Sequence, residues 1–188
     1  MSRKNIVYFD LETQRSFGDV GGPSHKDKME VSVAVTFSTA RNAYEIYAEN
    51  EMEKLGDELL RADLVVGWNH VQFDYPVLQP YVFQNLAEQT INLDMMLETE
   101  ALLGIRLKLD AVATATLGTG KSADGLDALR WWQEHKRTGD FAPLRKIAEY
   151  CAFDVKVTKC VHEYALEHGL LKYNDKGGRT CEIPVTWK

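Results

Sequence analysis

Eight residues near the start, Ile6-Val7-Tyr8-Phe9-Asp10-Leu11-Glu12-Thr13, restrict the fold more than any other stretch of the chain. Aliphatic and aromatic residues run up to two acids, and a loop rich in glycine and charge follows. The segment reads as a strand. Side chains on a strand alternate between faces, so Asp10 and Glu12 project to one side and Leu11 to the other. Two carboxylates on one face at the end of an apolar strand repel each other and resist desolvation. A bound cation relieves both costs, and an all-oxygen ligand set favours a hard ion, Mg2+ or Mn2+. The alternative is a pair of solvated acids opening a loop, which is the default for an isolated Asp-x-Glu. The residues downstream decide between the two.

Those residues predict an α/β chain. Val31, Val33, Val35 and Phe37 alternate with Ser32, Ala34 and Thr36 inside a strand spanning 29–37, and Tyr44, Ile46 and Ala48 alternate again after a turn at 39–42, which makes a hairpin. Residues 50–61 read as a helix with Asn50 as candidate cap and Met52, Leu55, Leu59 and Leu60 as its apolar stripe. Leu64-Val65-Val66-Gly67-Trp68 is the short continuous run of a strand buried on both faces. A helix opens at Asp74 with Pro76 in its first turn, and Pro80 demands a kink or a restart. Residues 90–94 form another short strand. Helical text covers 95–103, 109–117, 125–136 and about 143–168, and a hairpin of 170–173 with 180–185 closes the chain. The order predicts a mixed sheet with helices on both faces. One domain spans 1–188, with 168–188 as a C-terminal hairpin extension. The loop 14–28 is long for a compact domain and is open to two readings, a functional loop or a disordered surface excursion.

The 188 residues suffice for a sizeable core, and 45% of them are hydrophobic. No apolar run approaches a membrane span, and the first residues lack a signal-peptide core. Three cysteines, Cys151, Cys160 and Cys181, with no C-x-x-C spacing argue against a disulfide framework or a zinc site and fit a reducing cytoplasm. The formal net charge of −6 does not advertise nucleic-acid binding, so a backbone-binding surface has to be a local patch drawn from Lys26, Lys28, Arg106, Lys108, Lys121 and Arg130. Gly118-Thr119-Gly120-Lys121-Ser122 ends like a phosphate-binding loop. Ala115 stands where that motif needs glycine, however, and no buried strand precedes it.

Two further constellations matter. In Gly67-Trp68-Asn69-His70-Val71-Gln72-Phe73-Asp74 a buried strand ends, a short loop turns and Asp74 begins a helix, whose positive end favours an ionised carboxylate. A plain N-cap explains Asp74 equally well in isolation. In Tyr150-Cys151-Ala152-Phe153-Asp154 the tyrosine and aspartate are four apart on one helical face, with Ile147, Val157 and Val161 marking that face as inward. An inward aspartate needs a partner, and a core Tyr–Asp hydrogen bond is the simplest one. Asp94 either caps the helix after it or supports the acids from behind. Trp131 and Trp132 either pack or stack on bases, and packing is favoured.

Taken together, Asp10-x-Glu12, Asn69-x-x-x-Phe73-Asp74 and Tyr150-x-x-x-Asp154 resemble the three exonuclease motifs of the DEDD superfamily, in its tyrosine-bearing branch. The spelling of the second is similar to the proofreading domain of family B DNA polymerases. The other branch would carry histidine where Glu149 stands. Lys108-Leu109-Asp110-Ala111-Val112-Ala113, Leu117-Gly118, the run from Lys121 to Leu126 and Gly169-Leu170-Leu171 resemble bacterial ribonuclease H-like domains found alone or beside superfamily 2 helicases. Pro80 and the long loop after Glu12 depart from the pattern.

The resemblance implies a three-layer ribonuclease H-like fold with a mixed five-stranded sheet. It also implies a metal-dependent 3'-5' exonuclease acting on single-stranded DNA or RNA with a free 3' end, with a helicase or polymerase as partner. Asp10, Glu12, Asp74, Tyr150 and Asp154 become the catalytic set. Two Mg2+ or Mn2+ ions about 3.5–4 Å apart would be bridged by Asp10, with Glu12 and Asp154 completing the first site and Asp74 serving the second. Tyr150 would stay neutral and orient the attacking water. Substrate contacts are expected from Leu11, Thr13, Asn69, His70, Phe73 and Lys121, with a purely structural role as the other reading of His70. Two alternatives are a docking module that binds nucleic acid or a helicase without cutting, and an endonuclease of the same fold.

Overall fold

The computed structural model describes residues 4–118 and 125–187. Five strands, β1 (Ile6–Thr13), β2 (Val31–Ser38), β3 (Ala43–Ala48), β4 (Leu64–Gly67) and β5 (Asn92–Asp94), form one mixed sheet in the order β3-β2-β1-β4-β5. β1 is antiparallel to β2, and β2 to β3, whereas β4 and β5 run parallel to β1. Because β4 lies parallel to β1 on the far side of the sheet from β3, the chain has to cross over between them, and α2 (Met52–Leu60) carries it from β3 to β4. The alternation along β1 then sorts its side chains into two cores. Val7, Phe9 and Leu11 pack with Leu55 and Leu59 of α2 and with α3 (Asp74–Leu78), while Tyr8 packs on the opposite face under α8 (Phe141–His168). Helices on both sides of the sheet complete three layers.

β1 is longer than its parallel neighbour. Its register with β4 runs Ile6↔Leu64, Val7↔Val65, Tyr8↔Val66 and then stops, while its pairing with β2 continues to Thr13 across a bulge at Glu12/Thr13. Asp10 to Thr13 therefore lie beyond the end of β4, beside a gap in the sheet. Clefts outside the carboxyl ends of parallel strands are where open α/β sheets bind ligands.

On the Tyr8 side the core is closed by α8, capped by the Asp140 side chain at its start and by Gly169 (φ 68°) at its end, where only glycine adopts the left-handed turn without strain. α6 (Leu109–Leu117) and α7 (Gly125–Thr138) pack against it. The terminal hairpin, β6 (Leu170–Asn174) with β7 (Thr180–Pro184), is antiparallel as expected and buries Leu171 and Ile183 in the same core. Trp131 and Trp132 are half-buried against that core, in line with packing. No described helix is long and apolar enough to cross a membrane.

Several expected boundaries move. Asn50 is not a cap: β3 runs to Ala48, a 3-10 turn at Glu49–Glu51 follows, and the Glu51 carboxylate accepts from the Ala48 amide at 3.0 Å. β5 starts at Asn92 because the Thr90 hydroxyl donates to Leu86 O at 2.6 Å, closing a short unforeseen helix, α4 (Leu86–Gln89). Pro80 does force a restart, with α3 giving way to a 3-10 turn at Gln79–Tyr81.

The loop after β1 is built, not an excursion. The Gln14 amide donates to Glu30 O at 2.9 Å and the Arg15 amide to Met29 O at 3.1 Å, so its two ends are clasped together, with Met29 buried beneath. Between them lie α1 (Phe17–Val20), started by a capping box of Ser16 and Asp19, and a 3-10 turn at Pro23–Lys28.

Candidate active site

The two acids of β1 face α8. On that helix Tyr150 and Asp154 sit one turn apart, on the face that also buries Ile147, Cys151 and Val161. This geometry joins acids from distant parts of the chain: oxygens of Asp10, Glu12 and Asp154 lie within 4.8 Å of one another. Among the described residues this is the group of acids, histidines and cysteines close enough to hold a metal ion. The Tyr150 phenol hydrogen-bonds Asp154 and also feels the charges of Glu12 and Asp10. The expected Tyr–Asp bond is therefore made at the acid cluster, not in a separate part of the core.

Asp74 reaches the cluster from the other side of the gap. Its Oδ1 accepts from the Leu11 amide at 3.1 Å, the N–H that β4 is too short to pair. It is the first residue of α3, not the cap, which is Phe73. Its carboxylate lies outside the tight three-acid group but close enough to raise the pKa of Asp10.

Electrostatics mark the cluster as uncompensated. Burial pushes the Asp10 carboxyl well above the usual range, and Asp74, Asp154 and Glu12 add to this. Burial does the same to Glu12, followed by Asp154 and Asp74. Asp74 is pushed up to about 7, mainly by burial, against the opposing pull of the Leu11 amide. The phenol of Tyr150 is also raised, first by burial and then by Asp154, and so stays neutral. One group works the other way. The Cys151 thiol lies 3.3 Å from Asp10 O and 3.5 Å from its Oδ2, and its hydrogen bond lowers the Asp10 pKa. Half-buried oxygen donors that repel one another suit a hard divalent cation, which would restore all three to their charged form.

The loop before Asp74 is held by Asp94. Its carboxylate accepts from the amides of Asn69 (2.8 Å) and Val71 (3.0 Å) and caps α5 (Met95–Leu103) through the Leu97 amide (3.3 Å). Asp94 thus fills both roles that were open for it. Asn69 takes a left-handed conformation, φ 68°, a strained choice for any residue but one that asparagine tolerates. His70 is not a phosphate contact. It is fully buried, with Nε2 3.1 Å from Asn92 Oδ1 and its ring edge-on to Tyr75, so no face is left for substrate. Burial also lowers its pKa.

Above the acids lies a cavity of about 330 Å³. Asp10, Glu12 and Asp74 form its floor, and Leu11, Thr13 and Phe73 from the expected substrate set line it. Thr13 is mostly covered, its hydroxyl donating to Arg15 O at 2.9 Å. Asn69 does not line the cavity, and Lys121 lies outside the described residues. Phe17, Met29, Trp68, Leu126 and Leu129 line it as well, and sequence reasoning missed them all. Phe17 left one faint signal, a lone aromatic between Ser16 and Gly18 in a polar loop.

Comparison with known proteins agrees with this fold. No curated protein matches the chain. Among solved structures, the family B DNA polymerase from the hyperthermophilic archaeon Pyrobaculum calidifontis is similar, with a TM-score of 0.61 and 18% identity over 87% of this chain. The match takes in 25% of the polymerase, so this chain corresponds to about a quarter of its length, and at that identity the likeness is one of fold. A family model described as the RNase_H superfamily matches residues 7–166, from the first strand through most of α8. The chain belongs to the RNase_H superfamily.

Proposed function

We propose that this protein is a metal-dependent 3'-5' exonuclease that hydrolyses phosphodiester bonds of single-stranded DNA or RNA. The observation that carries the reading is the convergence of Asp10, Glu12 and Asp154 to within 4.8 Å, with Tyr150 bonded to the last of them. Asp10, Glu12 and Asp154 would hold one Mg2+ or Mn2+, and Asp10 with Asp74 a second. Bound there, divalent ions acidify the attacking water and neutralise charge on the phosphate and the leaving oxygen. The remaining work falls to the chain. The Asp74 carboxylate is anchored by the Leu11 amide, so its position is set before substrate arrives. Tyr150 keeps its phenolic proton, which it donates to Asp154, and its phenol oxygen would accept from the attacking water and orient it. With a net charge of −6, the occupied metal site would supply much of the positive charge that meets the phosphate, and any basic surface would be a local patch.

Purified protein should degrade a single-stranded oligonucleotide from its 3' end only when Mn2+ or Mg2+ is supplied. Asp10→Ala and Asp154→Ala should each abolish this while melting as cooperatively as the parent. Full activity in either variant refutes the assignment. Cleavage of circular single-stranded DNA, which has no end, would replace it with an endonuclease.

A further inference from the structure

The thiol of Cys151 has no part in the chemistry proposed above, yet it touches the acid that both proposed ion sites share. The Asp10 carboxylate is crowded by Asp74, Asp154 and Glu12, and each of them repels it. Repulsion of that kind turns a side chain away from its neighbours unless something holds it. Among the described residues one hydrogen-bond donor does so: the Cys151 Sγ, 3.5 Å from Oδ2 and 3.3 Å from the Asp10 carbonyl oxygen. Cys151 stands three positions before Asp154 on α8, so one face of the helix brings the thiol and an acid to β1 together. The thiol is fully buried, in a core with Tyr8, Ile147 and Val155. Burial, and then the charge of Asp10, pushes its pKa well above the ordinary value, so it keeps the proton it donates. Cysteine suits the position, being small and apolar enough for a core and still a weak donor. As plain filling it would need no polar contact, but its sulfur meets two oxygens of a single residue.

We infer that Cys151 is a positioning residue for the metal site: its thiol, donating to Oδ2, keeps the Asp10 carboxylate turned toward Glu12 and Asp154, so that a divalent ion meets a preset ligand. The inference rests on the metal site of the nuclease reading. A carboxylate oxygen has two lone pairs, so Oδ2 can accept from sulfur without being lost to an ion. Groups that hydrogen-bond a metal ligand from behind fix its orientation, and losing one lowers metal affinity about tenfold to a hundredfold. A thiol is a weak donor, which puts Cys151 at the low end of that range. The device complements the one on Asp74: a backbone amide of β1 holds that acid, and a helix side chain holds Asp10.

The test is calorimetric titration of Mn2+ into the full chain. Cys151→Ala removes the donor and should weaken the tightest Mn2+ site about tenfold. Cys151→Ser keeps a donor and should bind Mn2+ within about threefold of the parent. In a degradation assay Cys151→Ala should need about ten times more Mn2+ for its half-maximal rate, yet reach within a few-fold of the parental kcat once the ion saturates. The infrared S–H stretch gives a readout that needs no metal. In Cys160→Ser/Cys181→Ser protein the remaining thiol is Cys151. Adding Asp10→Ala to that background should move the band to higher frequency, as loss of an acceptor does. Parental Mn2+ affinity in Cys151→Ala overturns the inference. So does an equal loss in the alanine and serine variants, which would make the sulfur mere packing. Should Cys151→Ala fail to fold, the infrared band decides, and a band indifferent to Asp10→Ala overturns the inference. A parent protein that binds no Mn2+ overturns the metal site itself, and this inference with it.

Discussion

The carboxylate of Asp74 accepts a hydrogen bond from the backbone N–H of Leu11, 63 positions earlier in the chain. The bond exists because β1 outruns β4: the amide at Leu11 has no strand left to pair with, and an acid at the start of α3 takes the place of the missing carbonyl. One contact thus satisfies a backbone donor and positions a candidate catalytic group.

The two roles separate by substitution. Asp74→Asn retains an oxygen acceptor for Leu11 and should fold with at least parental stability, while degradation of a 3'-labelled oligonucleotide falls a hundredfold or more. Asp74→Ala strands the amide and should cost about 1–3 kcal/mol in chemical denaturation in addition to the activity.

The acid cluster also sets a pH dependence. A carboxyl whose pKa is higher in the folded chain than in the unfolded one holds its proton more tightly when folded. Its stabilising effect is full below the unfolded value, about 4, and is lost as pH rises through the folded value, about 7 for Asp74. Asp10 and Glu12 shift in the same direction. Metal-free protein should therefore lose stability between about pH 4 and pH 7, by a few kcal/mol. Added Mn2+ should raise Tm more at pH 8 than at pH 5, because the ion competes with protons for the same oxygens. An equal Tm shift at both values would show that the carboxylates are not the ligands.

Asp94 satisfies three amides at once, those of Asn69, Val71 and Leu97. Asp94→Ala should destabilise the protein by about 2–4 kcal/mol, given roughly 1–3 kcal/mol for each buried donor left unpaired and some relaxation. It should also lower nuclease activity, since the loop it holds leads into Asp74. Asp94→Asn, which keeps an acceptor, should recover much of the stability.

Gly67 is the last residue of β4, and a Cβ there would stand 2.7 Å from Nδ1 of the buried His70. The ring cannot withdraw, because Asn92 and Tyr75 hold it. Gly67→Ala should cost about 1–3 kcal/mol as overpacking. A smaller cost of Gly67→Ala when it is introduced into a His70→Ala background would identify the clash as its cause.

The strands were legible because they depend on local periodicity, whereas the acid cluster as a set was implied only by the family resemblance. The two-residue spacing of Asp10 and Glu12 fixes their common face and the four-residue spacing of Tyr150 and Asp154 fixes theirs, but no spacing says that the two faces meet; the resemblance implied it and the coordinates show it. The cavity walls were not legible. Phe17 and Leu126 are brought together by tertiary structure, one from a clasped loop and one from the start of a helix more than a hundred residues later. Neither belongs to a repeat that a window of sequence can register. His70 was ambiguous for a related reason: nothing beside it in the chain foretells that Asn92 and Tyr75 enclose it.

Asp154 stands near the middle of α8, a single uninterrupted helix of 28 residues. Helices open from their tips, where the outermost turns lack intrahelical partners, so mid-span amides are the last to exchange with solvent. The phenol and carboxylate of the site are thus carried where thermal breathing of the rod is least. The junction with α7 at one tip and the terminal hairpin at the other can fluctuate while the distance from Asp154 to β1 holds steady.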